Sequence, residues 1–106
     1  MFPTEAQAKL NKRDGVNYRS DGIKETYYNL DMTRIVKKAK DNGIEGDYWV
    51  RDDGVKMFGD KVICAVPFDT WDYGTCLTTS LGIGIALDTG EFAKTNKRMI
   101  DVAVDW

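Results

Sequence analysis

From Tyr48 to Trp106 the chain is a succession of short apolar runs, alternating every second residue and cut by Gly, Asp, Pro or Asn. Alternation of period two places successive side chains on opposite faces of a strand, and runs this short do not make helices of ordinary length. The fold is therefore expected to be mainly β. Tyr48-Trp49-Val50 and Val55-Lys56-Met57-Phe58 flank the turn residues Arg51-Asp52-Asp53-Gly54 and read as a hairpin. Lys61 to Val66, Thr75 to Thr79, Ile83 to Asp88 and Met99 to Trp106 follow as further strands. Six or seven such strands would expose unpaired edges unless the sheet closes, so the pattern predicts a mainly β fold, a small six- to seven-stranded barrel.

One segment has the helical period. Met32, Ile35, Val36 and Ala39 fall at i, i+3, i+4 and i+7, with Asp31 placed to cap the start, Gly43 placed to end it, and Arg34, Lys37, Lys38 and Lys40 turned outward. This predicts one short helix over Met32 to about Asp41. Residues 1–20 are polar and without period, and read as a loosely attached N-terminal arm. A chain of 106 residues holds one core and not two, so residues 21–106 are expected to form a single domain.

Fifteen basic and seventeen acidic side chains leave a net charge of −2. The densest basic runs, Lys37-Lys38-Lys40 and Lys94-Lys97-Arg98, read as solvated surface, so nucleic acid is not an expected partner. No apolar run approaches the roughly 20 residues that span a bilayer. Met1-Phe2-Pro3-Thr4 lacks the features of a secretory signal, which predicts a cytoplasmic chain or a domain cut from a longer one. With no histidine, neither a Ser-His-Asp nor a Cys-His mechanism can be assembled, and zinc loses its commonest nitrogen ligand. Chemistry is expected to run on carboxylates, lysines or tyrosines, with no metal and no cofactor. Cys64 and Cys76 either bridge or serve as two small buried hydrophobes.

Two acids stand out. Along Ile83 to Asp88, alternation puts Gly84, Ala86 and Asp88 on one face; along Ile100 to Trp106 it puts Asp101, Ala103 and Asp105 together, opposite Ile100, Val102, Val104 and Trp106. Small residues beside a carboxylate leave room for a substrate. Were the two strands neighbours, Asp88 and Asp101 would interact, and like charges in a partly enclosed groove push one pKa upward, giving a proton donor near neutral pH. The structural alternative has Asp88 bracing the Thr89-Gly90 turn. Trp71 and Tyr73, in the loop Phe68 to Thr75, and Tyr48 and Trp49 are faces on which sugar rings stack, or else core and strand aromatics.

The run Ile85-Ala86-Leu87-Asp88-Thr89-Gly90, then Lys94, Asn96 and Ile100-Asp101-Val102, resembles the closing signature of the three-aspartate (3D) domain family. In that family an apolar strand ending Asp-Thr-Gly-Gly leads through Ala-Ile-Lys-Gly-Asn to a strand beginning Ile-Asp. Lys61 to Val66 followed by Tyr73-Gly74-Thr75 is similar to its upstream strand and Leu-Gly-Thr. The resemblance covers about the last half of the chain. It implies a double-psi β-barrel like that of the membrane-bound lytic transglycosylases A, in secreted or wall-associated proteins acting on peptidoglycan. Asp101 maps onto the catalytic acid and Asp88 onto its supporting partner, with Lys94, Trp71, Tyr73, Asp105 and Asp69 as candidate substrate-binding residues. The chain departs at Glu91, where a second glycine is expected; at Lys97 and Arg98, two residues beyond the family's interval; and at Pro67, where the first family aspartate falls unless Asp69 replaces it.

Three functions follow as expectations: lytic-transglycosylase-like cleavage of a peptidoglycan or other glycan, a non-catalytic glycan- or protein-binding module, and an aspartic protease, whose signature also includes Asp-Thr-Gly. Only the triplet fits the protease, because the flap and the second hydrophobic-Gly segment have no room in the eighteen residues after Asp88. The resemblance implies an extracellular or wall-associated setting, and nothing in the sequence demands more than a monomer.

Overall fold

The computed structural model describes residues 8–106. Its elements run β1 (Val16–Tyr18), β2 (Lys24–Tyr28), α1 (Thr33–Asp41), β3 (Tyr48–Val50), β4 (Lys56–Phe58), β5 (Lys61–Ala65), β6 (Cys76–Thr79), β7 (Gly82–Asp88) and β8 (Met99–Ala103), with a 3-10 turn at Glu91–Lys94 before β8. The protein is mainly β with one α-helix.

The hairpin forms where the turn residues demanded it. Gly54 takes φ +87° and donates to Arg51 O at 2.8 Å, and Arg51 donates to Val55 O at 2.9 Å. The helix ends as its glycine predicts: Gly43, at φ +81°, donates to Lys40 O and Ile44 to Ala39 O, each at 3.0 Å, which satisfies carbonyls that the helix leaves unpaired. Asp31 sits one residue outside the helix cap and accepts from the Thr33 N–H (2.8 Å) and hydroxyl (2.6 Å).

All eight strands join one mixed sheet in the order β1-β2-β8-β5-β4-β3, with β7 beside β5 and β6 beside β7. β5 is the hub. It pairs antiparallel with β4 through Met57↔Val62, antiparallel with β8 through Cys64↔Val102 and Ala65↔Asp101, and parallel with β7 from Val62↔Gly84 to Ala65↔Asp88. β2 and β8 are also parallel. Among the described residues the ladders do not close on themselves: β1, β3 and β6 each pair along one side.

The strand count exceeds the expected six or seven because of β1 and β2. Within the segment read as a loose arm, Leu10 is buried and β1 pairs with β2 in full register; residues 1–7 lie outside the described residues. The physical reason is a buried carboxylate. Glu25 is fully buried and accepts from Asn17 Nδ2 (3.0 Å), Arg19 Nη1 (3.3 Å), the Ser80 N–H (2.9 Å) and the Ser80 hydroxyl (2.5 Å). Polar residues thus sit where a strand pattern would show apolar ones.

The sheet carries a core on each face. Val62, Cys64, Val66, Ala86, Ile100, Val102 and Val104 centre the first, together with Leu10 and Val55. Ile63, Ile85, Leu87, Ala103 and Phe58 form the second, which Met32 at the N-cap of α1 and Ile35, Val36 and Ala39 within it cover. Cys64 is buried and Cys76 exposed, and both are free thiols; burial pushes the Cys64 thiol well above its ordinary range. No helix among the described residues is long and apolar enough to cross a membrane.

Candidate functional site

Register sets the central acids in one row, but their strands are not the neighbours that the sequence suggests: β5 lies between β7 and β8. Thr26 on β2 pairs with Asp101 on β8, Asp101 with Ala65 on β5, and Ala65 with Asp88 on β7, so the four residues form one row across four adjacent strands. Paired residues share a face. A register shift between Cys64 and Ala65 is what turns Asp88 to this side. Simple alternation had grouped Asp88 with Gly84 and Ala86, but Ala86 belongs to the first core and the bulge breaks the alternation at Leu87. The small residues beside the acids are Ala65 and Ala103 instead.

No hydrogen bond joins the two carboxylates among the described residues; each is held by its own hydroxyl. The Thr26 hydroxyl donates to Asp101 Oδ1 at 2.9 Å. The Tyr28 hydroxyl donates to Asp88 Oδ2 at 2.9 Å, and Asp88 Oδ1 accepts from the Thr89 N–H at 2.8 Å, the turn-bracing contact anticipated for an aspartate before Thr-Gly. Burial pushes the Asp101 carboxyl above the usual carboxylate range; the Thr26 hydrogen bond opposes this shift and the charge of Asp88 adds to it. Burial, then the charge of Asp88, raises Tyr28 far enough that its hydroxyl stays a proton-bearing donor. Thr26 and Tyr28 carry no motif of their own. The alternation of Thr26 and Tyr28 within Lys24–Tyr28 is the signal that could have found them.

Beside Asp88 a groove of about 840 Å³ opens between α1 and the end of β7, a volume within the range of small-ligand sites. Ile35, Phe68 and Leu87 supply its apolar lining, and Asp88, Arg34 and Lys38 supply charge. Of its acids, Asp88 comes from the sheet and Asp31 from the segment before the helix, while both cations come from the helix.

Of the sequence candidates only Asp88 lines this groove; Asp101 and the others fall outside the lining. Lys94 is exposed and pairs with Glu91 at 3.0 Å across the 3-10 turn. Asp69 pairs with Lys97 at 2.9 Å, which holds the Lys97-Arg98 insertion against the Phe68 loop. Trp71 packs on the first core, whereas Tyr73 packs on the second, edge-on to Phe68. Asp105 is exposed beyond β8, where its N–H donates to Gly54 O at 2.8 Å. Pro67, at the position of the family's first aspartate, is buried, and Glu91 is exposed at the start of the 3-10 turn.

No family model, curated protein or solved structure matches this chain. Among the described residues no group of three or more His, Cys, Asp or Glu side chains is placed to hold a metal ion.

The Thr26 contact supplies a direct check. Thr26→Val removes the one interaction that favours the ionised Asp101, leaving burial and the Asp88 charge unopposed. The Asp101 titration, followed by carboxyl-carbon NMR, should move further upward. An unmoved titration would show that the hydroxyl does not hold this carboxylate.

Proposed function

We propose that this chain is a glycan-cleaving domain of lytic-transglycosylase type, with Asp101 as its single general acid and base. The observation that carries the reading is a half-buried aspartate, its carboxyl pushed upward by burial, in one row with a second acid that lines a ligand-sized groove. That aspartate is also the residue onto which the three-aspartate signature maps its acid.

The reaction needs one proton carrier. Asp101 gives its proton to the glycosidic oxygen as the C1–O bond to N-acetylglucosamine breaks, leaving an oxocarbenium-like muramoyl carbon. The carboxylate so formed then takes the proton of the muramoyl 6-hydroxyl as that oxygen bonds to C1, which closes the 1,6-anhydro ring and returns Asp101 to its starting state. Water is not consumed. Asp88 tunes Asp101 through its charge, and Tyr28 and Thr89 hold Asp88 in place.

The barrel belongs to the same proposal. β2 and β7 are three strand spacings apart along the sheet, roughly 14 Å if it were flat, yet Tyr28 on β2 bonds Asp88 on β7. That bond, the three partners of β5 and the Val55↔Val104 bridge support a sheet curled toward closure, as a double-psi barrel requires. The buried Pro67 and the side chain at Glu91 favour a second reading, a glycan-binding barrel that has lost catalysis. Digestion of purified peptidoglycan with the full chain, read by mass spectrometry, decides between them. Release of 1,6-anhydromuramoyl ends is expected, and binding without such ends would replace the enzyme by the binding module.

A further inference from the structure

Helix α1 carries four outward cations, and they divide into two kinds. Lys37 pairs with Asp41 at 2.7 Å, one helical turn on, and Lys40 lies 4.0 Å from Asp47. Arg34 and Lys38, also one turn apart, have no carboxylate partner among the described residues; Lys38 instead stands 5.0 Å above the Tyr73 ring. These are the two helix cations that line the groove beside Asp88.

Like charges at i and i+4 repel, so the unpaired positions are the ones a bridging anion would stabilise. The groove's two acids do not serve. Asp31 is turned to its own Thr33 N–H and hydroxyl, and Asp88 is held by Tyr28 and Thr89. Asp101 lies beyond Asp88 in the row, on the far side of Ala65.

We propose that Arg34 and Lys38 form an anion subsite that receives a carboxylate of the bound glycan, so that the ligand is an acidic rather than a neutral polysaccharide. The subsite rests on the glycan reading of the groove but not on catalysis. The planar guanidinium can hold a carboxylate by two parallel hydrogen bonds while Lys38 adds a point charge one turn away. The sugar is then laid across Ile35, Phe68 and Leu87 with its scissile region toward the acids. The carboxylate has two possible sources, the lactyl group of a muramoyl residue or the ring carboxylate of a uronic acid.

The test is a binding titration of the full chain carrying Asp101→Asn, which prevents cleavage during the measurement. Three probes are compared: peptidoglycan strands stripped of peptide and bearing free lactyl carboxylates, the same strands with those carboxylates amidated, and oligogalacturonate. The stripped strands should bind about tenfold or more tighter than the amidated ones, with the difference shrinking as salt is raised. Arg34→Gln/Lys38→Gln, on exposed helix positions and checked for fold by circular dichroism, should abolish the preference. Oligogalacturonate binding in place of the stripped strands would support the subsite and assign the carboxylate to the ring. Measurable and equal binding of stripped and amidated strands, binding of none of the three probes, or a preference that survives the double substitution overturns it. A preference present while the parent chain releases no anhydro ends leaves the subsite standing and removes only the transglycosylase reading.

Discussion

Asp101→Asn should lower peptidoglycan turnover by about 10²–10⁴-fold, the usual contribution of a general acid and base, without loss of the fold. Asparagine is nearly isosteric and its Oδ1 can still accept the Thr26 hydroxyl, while Ile100 and Val102 on the opposite face of β8, and Val104 just beyond it, are untouched. What disappears is the transferable proton. The pH dependence follows from the direction of the shift. The acid step needs Asp101 protonated, so the parent's rate should fall as pH rises through the raised Asp101 value. Stability has the same sign: a raised carboxyl contributes most below the ordinary aspartate value of about 3.9, and its contribution is lost as pH rises through its own value. Above that, an ionised Asp101 is held partly out of water at a cost. Asn carries no such cost, so the variant should melt with the parent in acid and at or above it near neutrality. Unchanged turnover by Asp101→Asn would assign the acid elsewhere; lost turnover together with a large fall in melting temperature would make Asp101 a structural residue.

Which parts of this site could be read in the sequence follows from how each is built. Asp88 and Asp101 sit at the end and the start of runs with clear alternation, so their strands could be placed. Their place in one row depended on β5 lying between β7 and β8, a long-range pairing that no local pattern encodes. The bulge at Leu87 could not be read at all, because two successive residues on one side look like ordinary alternation until a partner strand sets the register. The helix was legible because Met32, Ile35, Val36 and Ala39 bury one face, but a helical pattern does not say which sheet face receives it. Arg34 and Lys38 therefore read as solvated surface, and only their place beside Asp88 separates them from Lys37 and Lys40. For Trp71, Tyr73, Lys94, Asp69 and Asp105, residue type and nearness in sequence do not distinguish a stacking platform from a core aromatic or a ligand contact from a surface ion pair.

The missed β1–β2 hairpin leads to the second large effect: Glu25→Ala should destabilise the protein by about 3–5 kcal/mol, because it breaks a buried charged network rather than a surface pair. Glu25 lies on β2 with no exposure, and its two carboxylate oxygens accept from Asn17 on β1, from Arg19 just beyond it, and from both the N–H and the hydroxyl of Ser80 in the β6–β7 turn. Three stretches of the chain are tied at one point, and Ser80 passes the connection on by accepting the Leu10 N–H at 3.0 Å. Removing the carboxylate leaves the Asn17 amide, the Ser80 N–H and part of the Arg19 guanidinium without an acceptor, although Arg19 keeps Thr78 O and Asp21. For a chain of this size the loss corresponds to a fall in melting temperature of roughly 10–30 °C. Glu25→Gln keeps one oxygen but turns an NH₂ group toward donors, so it should fall between parent and alanine variant. A Glu25→Ala protein melting within a few degrees of the parent would show that the network does not anchor the hairpin. Since β2 also carries Thr26 and Tyr28, the hydroxyl partners of Asp101 and Asp88, hydrogen exchange in the alanine variant should show β2 opening before β5 and β7, and the Asp101 titration should lose its dependence on Thr26.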